Sequence, residues 1–445
     1  RPGAAARAEP DRNVLSRGVP QTATMQPAGA APSFATAARF WARLGFISFG
    51  GPAGQIAIMH RELVDRRRWV DERSFAGALN FCMLLPGPEA LQLAIYLGWK
   101  LHGLRGGLVA GFGFIVPSIL LLFALSFLYV RYGSLPWLAA ALYGLQAAVI
   151  AIVAQALSRI GRRALGRPLH VALALGAFVA LEFAGVPFPI VLLAAAMVGT
   201  VTAPRHAAGA TAPAAVDANH PSRGRALRIT LAGLGLWIVP LLLLYWTAGA
   251  ASLWAQVYLF FTKAALVTFG GAYAVLGYVT GLLVEHLGWL TAEQSVAGLA
   301  LAETTPGPLV IVLQFMGYMA GWTHPGALAP PVSALLAGAL ASWATFLPSF
   351  VFILLGAPHV ERLTNQPRVA GALAAITAAV VGVIASLALL LAQVVLFPAG
   401  WAAMPEIAGI AIAAGAWLAL EKWRWPLPAV LAAAAAIGLA LRFAQ

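Results

Sequence analysis

Two Pro-Gly-Pro motifs interrupt apolar segments that are long enough to cross a bilayer. Pro86-Gly87-Pro88 lies within the apolar residues 75–99, and Pro306-Gly307-Pro308 lies within residues 292–322, 220 positions later. Proline removes a backbone donor and disfavours helical geometry at the preceding residue, so a helix must break at each motif. Because lipid offers no hydrogen bonds to the freed backbone groups, each break must lie inside the protein or beside a water-filled cavity.

Composition identifies the class of protein. Hydrophobic residues make up 61% of the 445 positions and charged residues only 10%, far from the profile of an ordinary soluble domain. Apolar stretches recur from about Phe34 to Leu441, and their Leu, Ala and Val runs do not alternate as barrel strands do. The sequence therefore predicts an all-α integral membrane protein surrounded by a lipid bilayer.

The net charge of +13 does not indicate a nucleic-acid partner. The arginines and lysines fall mainly in short loops between apolar segments, where they mark the cytoplasmic face of a membrane protein.

The single cysteine, Cys82, cannot form a Cys-pair metal or redox site, so we expect a buried thiol, no metal and no cofactor. Residues 1–33 are rich in Ala, Pro and Arg without an apolar core, which predicts a disordered tail rather than a signal peptide.

Landmark residues recur in the second half of the chain. Ser48-Phe49-Gly50-Gly51 returns 220 positions later as Thr268-Phe269-Gly270-Gly271, and Pro117-Ser118 returns 231 positions later as Pro348-Ser349. The landmarks keep their order while the offset grows, as insertions in loops would cause. The pattern predicts an internal duplication.

The duplication predicts a layout of about thirteen apolar segments. Two homologous repeats of six segments each occupy residues 34–203 and 251–445. Residues 204–250 form a basic cytoplasmic linker and one extra transmembrane helix. A single extra crossing between two even-numbered repeats inserts the second repeat in inverted topology.

The distribution of basic residues agrees with inversion. Residues 61–73 of the first repeat carry several arginines, whereas the matching loop of the second repeat carries no lysine or arginine. The basic loops of the first repeat share the cytoplasmic face if the segments with Gly50-Gly51 and Pro86-Gly87-Pro88 are re-entrant or broken hairpins, which leaves Arg131 outside. A full span with a local kink is the alternative. We expect a cytoplasmic N terminus and an external C terminus.

A helix that restarts inside the membrane presents free N–H groups and about half a positive charge, which favours an anion. We expect four such ends to meet near the pseudo-two-fold axis. Kinks that serve packing alone are the structural alternative. The predicted substrate-binding residues are those of the breaks and polar side chains near them: Ser48, Gly50, Gly51, Gln55, Asn80, Pro86, Gly87, Pro88, Gln92, Thr268, Gly270, Gly271, Thr305, Pro306, Gly307, Pro308 and Gln314.

Four charged residues complete the predicted site, which has no catalytic member. Arg43 and Lys263 occupy matching positions seven residues before their Gly-Gly pairs, where they either attract a dianion or extend to the membrane surface. Glu89 and Glu303 flank the Pro-Gly-Pro motifs inside apolar sequence. Their expected roles are proton coupling, closure against Arg43 or Lys263, or the cap of a half-helix.

These motifs resemble those of the chromate ion transporter family. The resemblance rests on residues 49–55, 60–69 and 80–89 of the first half and residues 268–273, 288–290 and 302–308 of the second, and it covers the chain after about Phe34. It implies the long, two-domain form, whose members export chromate across the bacterial plasma (inner) membrane and give chromate resistance.

A secondary transporter agrees with the energetics of a dianion. When the cytoplasm is negative, export of a dianion gains about 4.6 kcal/mol per 100 mV, at about 2.3 kcal/mol per charge. Membrane potential, ion coupling or both can therefore drive export. Sulfate is a second expected ligand, and a sulfate-type anion carrier or exchanger is the alternative function. A membrane-embedded enzyme is more remote, because the chain has no His-Glu-x-x-His motif and no Gly-x-Ser-x-Gly elbow. The oligomeric state, including a homo-oligomer, is left open.

Overall fold

The computed structural model describes residues 32–203, 223–269, 271–359 and 366–443. Most of the predicted N-terminal tail, the linker at 204–222 and Gly270 lie outside these ranges. Every regular element in the described residues is helical, which confirms the predicted all-α class.

Sixteen α-helices occur in the described residues. They are α1 (Phe34–Ile47), α2 (Gly51–His60), α3 (Glu72–Cys82), α4 (Glu89–Tyr132), α5 (Pro136–Ala164), α6 (Pro168–Glu182), α7 (Phe188–Thr202), α8 (Arg223–Ala248), α9 (Leu253–Leu266), α10 (Ala272–Gly281), α11 (Ala292–Glu303), α12 (Val312–Thr323), α13 (Pro330–Gly356), α14 (Pro367–Leu396), α15 (Ile407–Glu421) and α16 (Leu427–Phe443). Single π-helical turns extend α2 over Arg61–Arg66 and α10 over Leu282–His286. Short 3-10 turns lie at Leu309–Ile311 and Ala357–His359.

Five of these helices are long and apolar enough to cross a membrane: α4, α5, α13, α14 and residues Ala226–Ala248 of α8. The apolar stretch that begins at Phe34 is a pair of shorter helices, α1 and α2, which are separated at the Gly-Gly break. Within α4 the chain reverses at His102 and Gly103, the two residues of this helix with non-helical backbone angles. The two limbs of α4 then pack closely, with Gly98 directly against Gly106.

The helix pairs α1–α2 and α9–α10 make matching contacts. Phe40 of α1 packs edge-on against Trp69, beyond α2, with ring centroids 5.5 Å apart. Phe260 of α9 packs in the same way against Trp289, beyond α10, at 6.0 Å. Each pair of helices therefore turns back towards the side of the bundle where it began.

The two halves of the chain share one core. Helices α6 and α7 pack on α14 of the second half, whereas α15 and α16 pack on α5 of the first half. Small residues allow these helices to cross closely, as where Gly199 meets Gly371 and Gly382 meets Ala174. A single hydrophobic cluster consequently contains residues from both predicted repeats.

The helix between the halves, α8, lies at the periphery against α9 and α13. Trp237 Nε1 donates a hydrogen bond to Thr262 Oγ1 at 3.1 Å, and Trp343 Nε1 donates to the carbonyl of Leu236 at 2.9 Å. These bonds attach α8 to the second half only.

Candidate functional site

The helix breaks of the two halves meet in the interior. The N–H of Gly87 donates to the carbonyl of Thr268 at 2.8 Å, and the N–H of Gly307 donates to the carbonyl of Ser48 at 2.8 Å. Each Pro-Gly-Pro motif is thus bonded to the residue that precedes the Phe-Gly-Gly sequence of the other half. The positive φ values of Gly87 (+128°) and Gly307 (+102°) orient these N–H groups.

The hydroxyl groups beside the breaks close the ends of helices. Ser48 Oγ donates to the carbonyl of Leu44 at 2.6 Å, and Thr268 Oγ1 donates to the carbonyl of Ala264 at 2.6 Å. Thr305 Oγ1 donates to the carbonyl of Leu301 at 2.8 Å. These three donors, predicted as ligands of an anion, are therefore engaged with the last turns of α1, α9 and α11.

Gln55 links a break of the first half to one of the second. Its Nε2 donates to the carbonyl of Gly307 and, at 3.3 Å, to the carbonyl of Ser48. The side chain is 1% exposed, and its Oε1 has no hydrogen-bond partner among the described residues. Gln92 is also buried, and its Nε2 donates to the carbonyl of Pro86 at 2.8 Å. Both amides hold a Pro-Gly-Pro motif in place.

Two serines outside the predicted set contact these motifs. Ser118 Oγ donates to the carbonyl of Pro306, and a Cβ added to Gly307 would overlap that hydroxyl. A Cβ added to Gly87 would lie 2.6 Å from Ser349 Oγ. Both serines belong to the repeated Pro-Ser pair, Pro117-Ser118 and Pro348-Ser349, and that repetition is the sequence signal that marks them.

A cavity of about 1690 Å³ opens beside the breaks. Its lining includes residues 50–54 at the start of α2 and residues 271–273 at the start of α10. First-turn N–H groups have no acceptor within their own helix, so two positive helix ends face the same space. Pro308 and the start of α12 are not part of the lining, so fewer than the four predicted helix ends reach this cavity.

The wall of the cavity is also rich in basic side chains. Five arginines from three parts of the chain contribute to it, and we call them the basic mouth: Arg61, Arg159, Arg163, Arg167 and Arg424. Nearby His60 contacts Asp65 at 3.5 Å and Glu72 at 2.7 Å. The loops after α2, α5 and α15 therefore lie at one end of the bundle.

Both predicted carboxylates line this cavity. Glu303 is 4% exposed and accepts a hydrogen bond from the Tyr273 hydroxyl at 2.8 Å. Glu89 is less buried, at the first position of α4. The partner of Glu303 is therefore Tyr273, which is not among the predicted site residues, and not Arg43 or Lys263.

The predicted cations are not in the cluster. Arg43 on α1 and Lys263 on α9 are exposed, and neither lines the cavity. No ion pair of either cation occurs in the described residues. Trp41 and Leu44 occupy the buried face of α1, which turns the intervening Arg43 outward.

Two further predicted residues, Asn80 and Gln314, stand apart from the breaks. Asn80 is exposed on α3. Gln314 donates from Nε2 to the carbonyl of Ile119 at 2.9 Å and accepts from Ser342 Oγ at 3.3 Å, so it ties α12 to α4 and α13. Gly270 lies outside the described residues.

Known proteins resemble this chain along most of its length. The Chromate transporter family matches residues 35–200 and 255–439. The chromate transport protein of Pseudomonas aeruginosa is 36% identical over 367 residues, which cover 79% of each chain. The chromate transport protein of Cupriavidus metallidurans is 31% identical over 405 residues, 90% of this chain and 91% of the relative. The probable chromate transport protein of Synechococcus elongatus is 30% identical over 403 residues, 90% of this chain and 94% of the relative. No solved structure matches the chain. By both the family match and these identities, the chain belongs to the chromate transporter family.

Proposed function

We propose that the protein is a secondary transporter that exports chromate from the cytoplasm, driven by the membrane potential. The observation that carries the proposal is one cavity in which the N termini of α2 and α10 face the same space as the basic mouth. Relatives named chromate transport proteins support chromate as the anion.

The geometry of the cavity suits two steps, in which the dianion is first attracted into the cavity and then loses part of its hydration shell. The arginines of the basic mouth raise the local concentration of a dianion, and low-dielectric walls strengthen that attraction. Deeper in the cavity, first-turn N–H groups at Gly51, Ala53 and Ala272 replace part of the hydration shell of the anion. Gln55 and the two reciprocal backbone bonds keep the helix ends at a constant separation.

The proposed arrangement in the membrane is two inverted repeats with the basic mouth on the cytoplasmic side of the bacterial inner membrane. The N terminus is then cytoplasmic and the C terminus external. Arginines at one end of the bundle support this orientation, because cytoplasmic loops carry the excess of basic residues.

Labelling of introduced cysteines tests the inversion. In a Cys82→Ser background, Arg66→Cys and Leu287→Cys are expected to react with a membrane-impermeant maleimide from opposite sides of the membrane. Both positions are exposed and follow matching helices, α2 and α10. Right-side-out and inside-out vesicles provide the measurement. Reaction of both cysteines from the same side would rule out inverted repeats.

A flux assay tests the function itself. Purified protein in liposomes with an imposed potential is expected to move chromate towards the positive side without changing its oxidation state. Loss of Cr(VI) without transport would indicate an enzyme. Sulfate flux that exceeds chromate flux under the same potential would indicate a sulfate-type carrier instead.

Substitution in the basic mouth tests the path of entry. Arg159→Gln is expected to raise the KM for chromate by about tenfold at low salt, because one of the positive charges that attract the dianion into the cavity is lost. The difference should shrink as added salt screens the remaining charges. Arg43→Gln is the matched control, since Arg43 does not line the cavity. If Arg43→Gln has the larger effect on KM, the anion enters elsewhere.

A further inference from the structure

The Tyr273–Glu303 hydrogen bond is present in one half of the chain only. It joins the first turn of α10 to the last residue of α11, across the two breaks of the second half. The positions 220 residues earlier are Ala53 and Met83, which cannot form this bond. The surrounding landmarks do match, so the pair is a local departure from an otherwise repeated scaffold.

Glu303 is the buried acid of the cavity. It is 4% exposed, whereas the other acidic residues in the described lining, Asp65, Glu72 and Glu89, are exposed or partly exposed. It lies three residues before Pro306, and its partner Tyr273 belongs to the α10 terminus proposed to hold the anion. Its carboxyl group therefore borders the proposed anion site.

The charge of Glu303 affects an anion at this site directly. An ionised carboxylate repels a dianion at the start of α10, and the low dielectric of the protein interior strengthens that repulsion. A protonated carboxyl group removes the repulsion. It can also donate its O–H towards the oxyanion while its carbonyl oxygen accepts from Tyr273.

The remaining groups that face the cavity are mostly cationic. They are Arg159 and Arg163 of α5, Arg167 and His170 beyond it, His60 and Arg61 at the end of α2, Arg424 after α15, and the acids Asp65, Glu72 and Glu89. Helices α12 and α14, which also pack on α11, contribute no titratable group to the described lining. Glu303 is thus the buried acid whose proton can respond to occupancy of the site.

We propose that Glu303 is a proton-binding site coupled to the anion, so that each dianion bound at the α10 terminus is accompanied by one proton on Glu303. This inference rests on the proposed function. A hydronium ion in the cavity gives its proton to the Glu303 carboxylate and becomes water. When the anion leaves, the O–H bond of Glu303 breaks and the proton returns to water as hydronium. The net charge moved per cycle falls from two to one, and an interior-negative potential still favours export.

Proton uptake during binding tests the coupling. Chromate is added to purified wild-type protein and to the Glu303→Gln variant in weak buffer between pH 6 and 9. Wild-type protein is expected to take up about one more proton per bound chromate than the variant does. As the pH rises, the chromate affinity of wild-type protein should therefore fall by up to about tenfold more per pH unit than that of the variant. Chromate itself takes up a proton near neutral pH, but that contribution is the same for both proteins.

Three variants keep the test decisive. Glu89→Gln, in the same cavity, is expected to take up the extra proton as wild-type protein does. If Glu89→Gln does not take up that proton, the assignment to Glu303 is overturned. Tyr273→Phe should retain the proton but move the pH at which affinity changes. The double variant Tyr273→Ala/Glu303→Met carries the residues that the first half has at these positions, Ala53 and Met83. It replaces Glu303→Gln in the test if Glu303→Gln does not fold. Equal proton uptake by folded wild-type and variant proteins that both bind chromate overturns only this inference, whereas absence of chromate binding by wild-type protein overturns the proposed function.

Discussion

Gly307→Ala is expected to reduce chromate flux at least about tenfold. The φ of +102° at Gly307 lies in a region that costs an alanine roughly 1–3 kcal/mol. The added Cβ would also overlap the hydroxyl of Ser118, which donates to the carbonyl of Pro306. Relief of this overlap moves the motif and breaks the bond from the Gly307 N–H to the carbonyl of Ser48.

Flux in liposomes and thermal unfolding of the same preparation separate loss of function from loss of the fold. Gly176→Ala is the matched control, because nothing lies within 4 Å of a Cβ there and transport should be unchanged. Adding Ser118→Gly to Gly307→Ala should restore part of the flux by making room for the methyl group. Wild-type flux from Gly307→Ala alone would show that the motif need not be rigid.

Gln55→Leu is expected to lower both chromate affinity and stability. The carbonyl of Gly307 loses the side-chain donor and stays buried, which costs about 1–3 kcal/mol. Because Gln55 also donates to the carbonyl of Ser48, the substitution removes a side chain that links a break of the first half to a break of the second half beside the cavity. Chromate affinity and the midpoint of thermal unfolding provide the measurements.

Two other glutamines serve as controls for Gln55→Leu. Gln256→Leu, at the exposed start of α9, should change neither property. Gln314→Leu should lower stability without lowering affinity, because Gln314 bonds α4 and α13 and makes no hydrogen bond to the breaks beside the cavity. Equal losses of affinity in Gln55→Leu and Gln314→Leu would mean that Gln55 acts only through general stability.

Several features of the molecule were predictable because they depend on local chemistry. The excess of hydrophobic residues predicts helices in a membrane, because lipid offers no hydrogen bonds and a helix pairs its backbone N–H and C=O groups internally. Proline and glycine restrict or free the backbone of their own residues, so the breaks at Gly50-Gly51, Pro86-Gly87-Pro88 and Pro306-Gly307-Pro308 occur where the motifs stand. The inverted topology stays a prediction, because it depends on the side of the membrane that each loop reaches.

Long-range packing decided what these local rules leave open. The sequence alone predicted Asn80 near a break and left Arg43 and Lys263 either to attract an anion or to extend to the membrane surface. A helical residue faces whichever side its apolar neighbours leave free, and all three are exposed. The partners of the breaks lie in the opposite half of the chain, as for Gly87 with Thr268, because the halves interlock through close crossings of small residues.

The sequence by itself therefore determined where the helices break, since proline and glycine act on their own backbone. Only the tertiary structure decided which breaks bond to each other, which side chains reach the cavity and that Glu303 pairs with Tyr273. Those choices arise from contacts between segments far apart in the chain, and the spacing of residues within any one segment does not encode them.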